Sequence, residues 1–165
     1  MIYLKTDEEV ELMRRSNDLL GRTLAEVAKV IRPGVTTAEL DKVAYEFICD
    51  NGGIPSCLGY EGYPATLCTS VNEQVVHGIP SDKVILKDGD IVSVDTVVKL
   101  NGFCADSAYT FPVGEVASEV LQLMRTTKEA LYLGIEQAVT GRRLGDIGAV
   151  IQNHCERAGY SVVRE

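Results

Sequence analysis

The chain has 165 residues, enough for one domain that buries about 70% of the surface its unfolded form exposes. With 45% apolar and 24% charged residues it has the composition of a folded globular protein, which excludes a disordered tail or a fibre. A net charge of −8 argues against non-specific nucleic-acid binding, and neither an apolar run of about 18 residues nor a signal-peptide pattern is present.

In chain order, Thr6-x-x-Glu9 reads as a capping box. Val10, Met13, Leu20, Leu24, Val27 and Ile31 then make one apolar stripe on a helix of about 25 residues, stopped by Pro33-Gly34. Thr36-x-x-Glu39 opens a second helix through Leu40, Val43 and Phe47, which ends at Gly52-Gly53. Ile54 to Pro80 has no helical period and reads as short strands within a long, ordered loop. Ile91 to Leu100 and Phe103 to Phe111 form a hairpin about the two-residue turn Asn101-Gly102. Helices follow over about 117–138 and 145–158, with Gly141 between them, and Tyr160 to Val163 reads as a strand. A weak internal repeat runs at an offset of 107 residues: Gly34 matches Gly141, Leu40 matches Ile147, Val43 matches Val150, and Gly52 matches Gly159. On this reading the first copy covers about 1–112 and a second begins at about 113–165.

The hairpin brings two carboxylates together. With a two-residue turn, Asp95 opposes Ala108 and Asp106 opposes Val97. Asp95 and Asp106 are then diagonal neighbours on one face, with backbone positions about 7–8 Å apart. Val94, Val98, Leu100, Phe103, Ala105 and Tyr109 take the other face. Such a pair needs a shared proton, a basic partner or a metal ion to offset its repulsion. No basic residue occurs between Lys42 and Lys83 or between Lys99 and Arg125, so both windows suit a cation or a protonated amine. His77 is open to a structural or a chemical role, and His154 reads as structural. Cys57, Tyr60, Tyr63 and Cys68 suit either a small local core or an adaptable pocket for a thioether. The five cysteines are odd in number and form no CxxC pair, which fits free thiols in a reducing cytoplasm.

The runs C-L-G-Y-E-G-Y-P-A-T-L-C-T-S-V-N-E-Q-V-V-H-G-I-P (57–80), L-K-D-G-D-I-V-S-V-D (86–95) and N-G-F-C-A-D-S-A-Y-T-F (101–111) resemble the bacterial type I methionine aminopeptidases. The flanking helices and the closing G-Y-S-V-V-R-E fit the same family, so the resemblance covers essentially the whole chain. It implies an α+β pitta-bread fold of two related halves, and metal-dependent hydrolytic removal of the initiator methionine. By the resemblance, Asp95 and Asp106 are ligands of two divalent ions of the Co, Mn, Fe, Zn or Ni type. His77 hydrogen-bonds the scissile amide, and Cys57, Tyr60, Tyr63 and Cys68 wall the methionine side-chain pocket. Asn72 lies at a structural monovalent-cation site. The implied partners are nascent polypeptides beginning with Met and the ribosome, with no nucleic-acid substrate, no membrane association and a monomeric, cytoplasmic enzyme. Three further ligands, a histidine and two glutamates, are expected in chain beyond Glu165. The expectation is therefore a single pitta-bread domain truncated in its second half and inactive as it stands. A prolidase-like enzyme of the same fold and a binding module without metals are the alternatives.

Overall fold

The computed structural model describes residues 3–163. They form two compact units that meet between Val116 and Ala117. In the first, helices α1 (Asp7–Val30) and α2 (Thr37–Asp50) cover a four-stranded antiparallel sheet. Both helices begin with the capping boxes read from the sequence. Thr6 Oγ1 accepts from Glu9 N at 3.2 Å while Glu9 returns a carboxylate oxygen to Thr6 N at 2.9 Å. Thr36 and Glu39 repeat the arrangement on α2. Each box satisfies N–H groups that the first helical turn leaves without partners.

The buried stripe of α1 is Ser16, Leu19, Leu20, Thr23 and Val27, whereas Val10 stays 37% exposed. Thr23 is tolerated there because its hydroxyl donates back to the Leu19 carbonyl at 2.8 Å. Ser16 Oγ lies 3.1 Å from the carbonyl oxygens of both Leu100 and Phe103, which ties the helix to the hairpin end.

The strands are β1 (Ile54–Pro55), β2 (Cys68–Val71), β3 (Ile91–Leu100) and β4 (Phe103–Pro112). β3 is central: β1 and β2 share one of its edges and β4 takes the other. The β3–β4 ladder runs without a bulge from Ile91↔Pro112 to Leu100↔Phe103, as the turn length requires. Asn101 and Gly102 both have positive φ, 52° and 86°, which matches the twist that a two-residue hairpin demands. Val92, Val94 and Val98 point into the core against Val27, Leu40, Ala44 and Ile48. The other face of β3, with Asp95 and Val97, is only half buried. Tyr109 differs from the apolar reading of its face: it is 46% exposed, and its ring meets that of Phe111 at a tilt, with centroids 4.8 Å apart.

The second unit is a helical hairpin of α3 (Ser118–Glu136) and α4 (Leu144–Arg157). Gly134 lets them approach closely, because a Cβ there would lie 2.9 Å from Ile151 Cδ1. His154 pairs with Glu129 at 3.2 Å, the structural role read for it. Residues 160–163 are irregular rather than a strand. A strand is made by its ladder partner, and among the described residues the sheet strands pair only with one another. No helix of the described residues is long and apolar enough to cross a membrane.

Candidate active site

A cavity of about 560 Å³ opens on the half-buried face of β3 in the first unit. Cys57, Tyr60, Tyr63, Cys68, His77, Asp95 and Asp106 all line it. Each comes from a different local device. Asp95 and Asp106 reach it through the hairpin register, and Cys68 stands beside Asp95 because the two are Cα partners of β2 and β3. Cys57 is placed by its sulfur, which accepts from Val97 N at 3.3 Å. Tyr60 belongs to a short 3-10 turn, Tyr60–Gly62, in which Glu61 is left-handed with φ 48°.

Tyr63 and His77 are held by a shared knot. The Tyr63 hydroxyl donates to the Leu67 carbonyl at 2.9 Å and has the Gly78 carbonyl at 3.3 Å. Gly78 is bonded to β2 on both sides, receiving Thr69 N at 2.7 Å and donating to the buried Ser70 Oγ at 3.1 Å. These bonds fix the chain where His77 itself takes a left-handed φ of 57°. Such a conformation costs a non-glycine residue free energy and persists only where neighbours over-determine it.

The cavity is acidic. Asp95, Asp106 and Glu61 line it, and no Lys or Arg does. Neither Asp95 nor Asp106 has an ion-pair partner among the described residues. Burial pushes the Asp95 carboxyl up, the Asp106 charge pushes it further, and His77 draws it partly back. Burial also raises the thiols of Cys57 and Cys68 and carries the Tyr63 phenol far above its ordinary range. At neutral pH the walls are therefore neutral thiols and a neutral phenol, adaptable and weakly polar.

Asp95 and Asp106 are hard oxygen donors without a counter-charge, which fits a divalent cation in kind. They do not complete a site: among the described residues, no three His, Cys, Asp or Glu side chains gather to hold a metal ion. Asn72, left-handed with φ 52°, ties β2 to β3. Its side chain donates to Asp90 at 2.8 Å and accepts from Ile91 N at 3.0 Å.

Five further lining residues were not singled out by sequence: Glu61, Gly62, Pro64, Ile79 and Val97. Val97 was within reach, since it shares a face with Asp95. A second hollow of about 380 Å³ lies along α1, where Arg15 pairs with Glu11, and Arg22 with Asp18 and Asn51.

Residues 11–165 match the sequence model of metallopeptidase family M24. The methionine aminopeptidase of Clostridium perfringens is 50% identical over 165 residues, covering 100% of this chain and 66% of the relative. The crystal structure of the methionine aminopeptidase from Rickettsia prowazekii superposes with a TM-score of 0.98 at 41% identity, over 100% of this chain and 66% of that one. The chain thus spans about two thirds of the length of the relatives it matches. A Xaa-Pro dipeptidase from Bacillus anthracis, 21% identical with a TM-score of 0.80 over 95% of this chain and 42% of its own, shares the fold alone. That common architecture is the pitta-bread fold. The chain belongs to metallopeptidase family M24 and is similar within it to the bacterial methionine aminopeptidases.

Proposed function

We propose that this chain supplies the methionine pocket and two of the metal-binding carboxylates of a methionyl aminopeptidase. The observation that carries the reading is the convergence of Cys57, Tyr60, Tyr63, Cys68 and His77 with two unpaired carboxylates in one cavity. The neutral thiols and the neutral Tyr63 phenol suit an unbranched thioether, and an acidic mouth suits the ammonium of a peptide N-terminus. Nascent polypeptides beginning with Met are the substrates on this reading. His77 donates a hydrogen bond to the scissile amide and stabilises charge as it develops. Asp95 and Asp106 hold divalent metal, which when bound supplies Lewis acidity and lowers the pKa of water. The compartment is a reducing cytoplasm, which accords with five free cysteines. The monomeric state and the ribosome as partner follow from the resemblance, as does the monovalent cation near Asn72.

The same reading takes 1–165 as one incomplete pitta-bread domain, with the first copy about 1–112 and the start of the second about 113–165. Backbone geometry supports it. Helix α4 begins and ends 107 positions after α2. Gly34 and Gly141 carry φ of 92° and 89°, and Gly52 and Gly159 carry 75° and 84°. With two carboxylates gathered instead of a full ligand set, the 165-residue chain by itself should not turn over peptide.

A hybrid of this chain with the remaining third of the Clostridium perfringens relative tests the function. Loaded with Mn²⁺, it should release methionine from Met-Ala-Ser and leave an X-Pro peptide intact. Cleavage of the X-Pro peptide instead would favour the prolidase-like alternative. No hydrolysis and no metal uptake would favour the binding module.

A further inference from the structure

Asp41 lies on α2, outside the cavity, yet its carboxylate reaches the segment that becomes the cavity wall. One oxygen, Oδ1, accepts from two consecutive backbone groups, Thr66 N at 2.9 Å and Leu67 N at 2.7 Å. Asp41 is half buried and has no ion-pair partner among the described residues. Burial raises its carboxyl while the two N–H bonds draw it back. A carboxylate held in this way is costly unless its hydrogen bonds are well made.

The two residues it holds by their N–H groups are bonded through their carbonyls as well. The Thr66 carbonyl accepts the Thr96 hydroxyl at 2.9 Å, next to Asp95 on β3. The Leu67 carbonyl accepts the Tyr63 hydroxyl at 2.9 Å. Cys68 follows directly and pairs with Asp95. A single oxygen on α2 thus stands at the root of a bonded path to Tyr63, Cys68 and the Asp95 strand.

We infer that Asp41 is a positioning residue for the cavity: it clamps the Thr66–Leu67 turn and so sets where Tyr63 and Cys68 present their side chains. Calling that wall a methionine pocket rests on the function proposed above, but the clamp does not, and its test needs no catalysis. The geometry asks for one acceptor oxygen at a fixed distance from the α2 backbone. Asn offers it, Ala removes it, and Glu moves it outward by one methylene.

The test is amide hydrogen exchange together with residue-resolved alkylation by iodoacetamide, on the 165-residue chain. Asp41→Ala should speed exchange at Thr66 and Leu67 by about tenfold or more, and alkylation of the buried Cys68 by a similar factor. Cys49, Cys104 and Cys155 should keep their original rates. Asp41→Asn should return both readouts to within about threefold of the original chain. If Asp41→Ala loses stability as a whole and all five thiols speed up together, the Asn and Glu variants decide: Asn must protect Thr66 and Leu67 better than Glu does. Original rates in Asp41→Ala, or equal rates in Asn and Glu, would overturn the inference, and neither result bears on whether the protein is an aminopeptidase.

Discussion

Asp95 and Asp106 stand diagonally across the β3–β4 ladder, Asp95 opposite Ala108 and Asp106 opposite Val97, with both carboxylates lining one cavity. No cationic side chain comes between them among the described residues. The two carboxylates repel each other, and the Asp95 carboxyl is raised first by burial and then by the Asp106 charge. On the function proposed above, this pair is where a divalent cation would be held.

Removing one charge should stabilise the metal-free chain. Asp106→Asn is expected to add about 0.5–1 kcal/mol at neutral pH, read as a higher urea midpoint. The pH dependence follows from the sign of the Asp95 shift. Its folded-state pKa is raised, so the folded state holds the proton longer, and stability falls as pH climbs from the ordinary carboxylate range through the raised value. That fall should shrink in Asp106→Asn. An unchanged midpoint and slope would mean that the two carboxylates do not feel each other.

Tyr63 should titrate late. Burial is the largest cause of its raised phenol pKa, and the neighbouring Cys68 thiol adds to it. In an ultraviolet titration of the folded chain, the Tyr63 phenol should ionise only well above the ordinary phenol range, as a late step. Tyr63→Phe should abolish that late step. The linked stability is complete below about pH 10 and is lost as pH rises towards the raised folded value. The variant should also cost about 1 kcal/mol at neutral pH, because the Leu67 carbonyl loses its donor.

Much of this arrangement was legible in the sequence, because the signals were local. The capping residues Thr6 and Thr36 fixed the starts of α1 and α2, and Asn101-Gly102 fixed the hairpin register and with it the shared face of Asp95 and Asp106. Non-local choices were not legible. Nothing near Asp41 in the chain indicates that it reaches Thr66 and Leu67, and no periodicity distinguishes Glu61 or Ile79 as cavity lining. Tyr160 to Val163 has the composition of a strand, yet composition cannot provide the partner that a ladder requires. Tyr109 alternates onto the apolar face as expected but lies where that face reaches solvent.

Gly78 is a point of close approach. A Cβ added there would fall on the Thr69 carbonyl oxygen, which is backbone and cannot swing aside as a flexible side chain could. Gly78→Ala should therefore break the suture between the His77 loop and β2, with a cost of roughly 2–3 kcal/mol in urea unfolding. A neutral result would mean that this loop is not fixed against β2.

On the function proposed above, His77 touches the substrate and is not a metal ligand. In the Mn²⁺-loaded hybrid, His77→Ala should lower turnover by roughly 10²–10⁴-fold. Metal content, measured by atomic absorption, should not change. Loss of metal would make His77 a ligand instead of a donor to the substrate.

Nuclear magnetic resonance of the 165-residue chain titrated with Mn²⁺ bears most directly on the paired carboxylates. Paramagnetic broadening should begin at Asp95, Asp106 and their ladder partners Val97 and Ala108, with an affinity weaker than roughly micromolar because only two carboxylates are in place. Asp106→Asn should suppress it there. Broadening centred elsewhere, such as around Asp88 and Glu115, broadening that Asp106→Asn leaves intact, or micromolar and tighter binding would contradict the account.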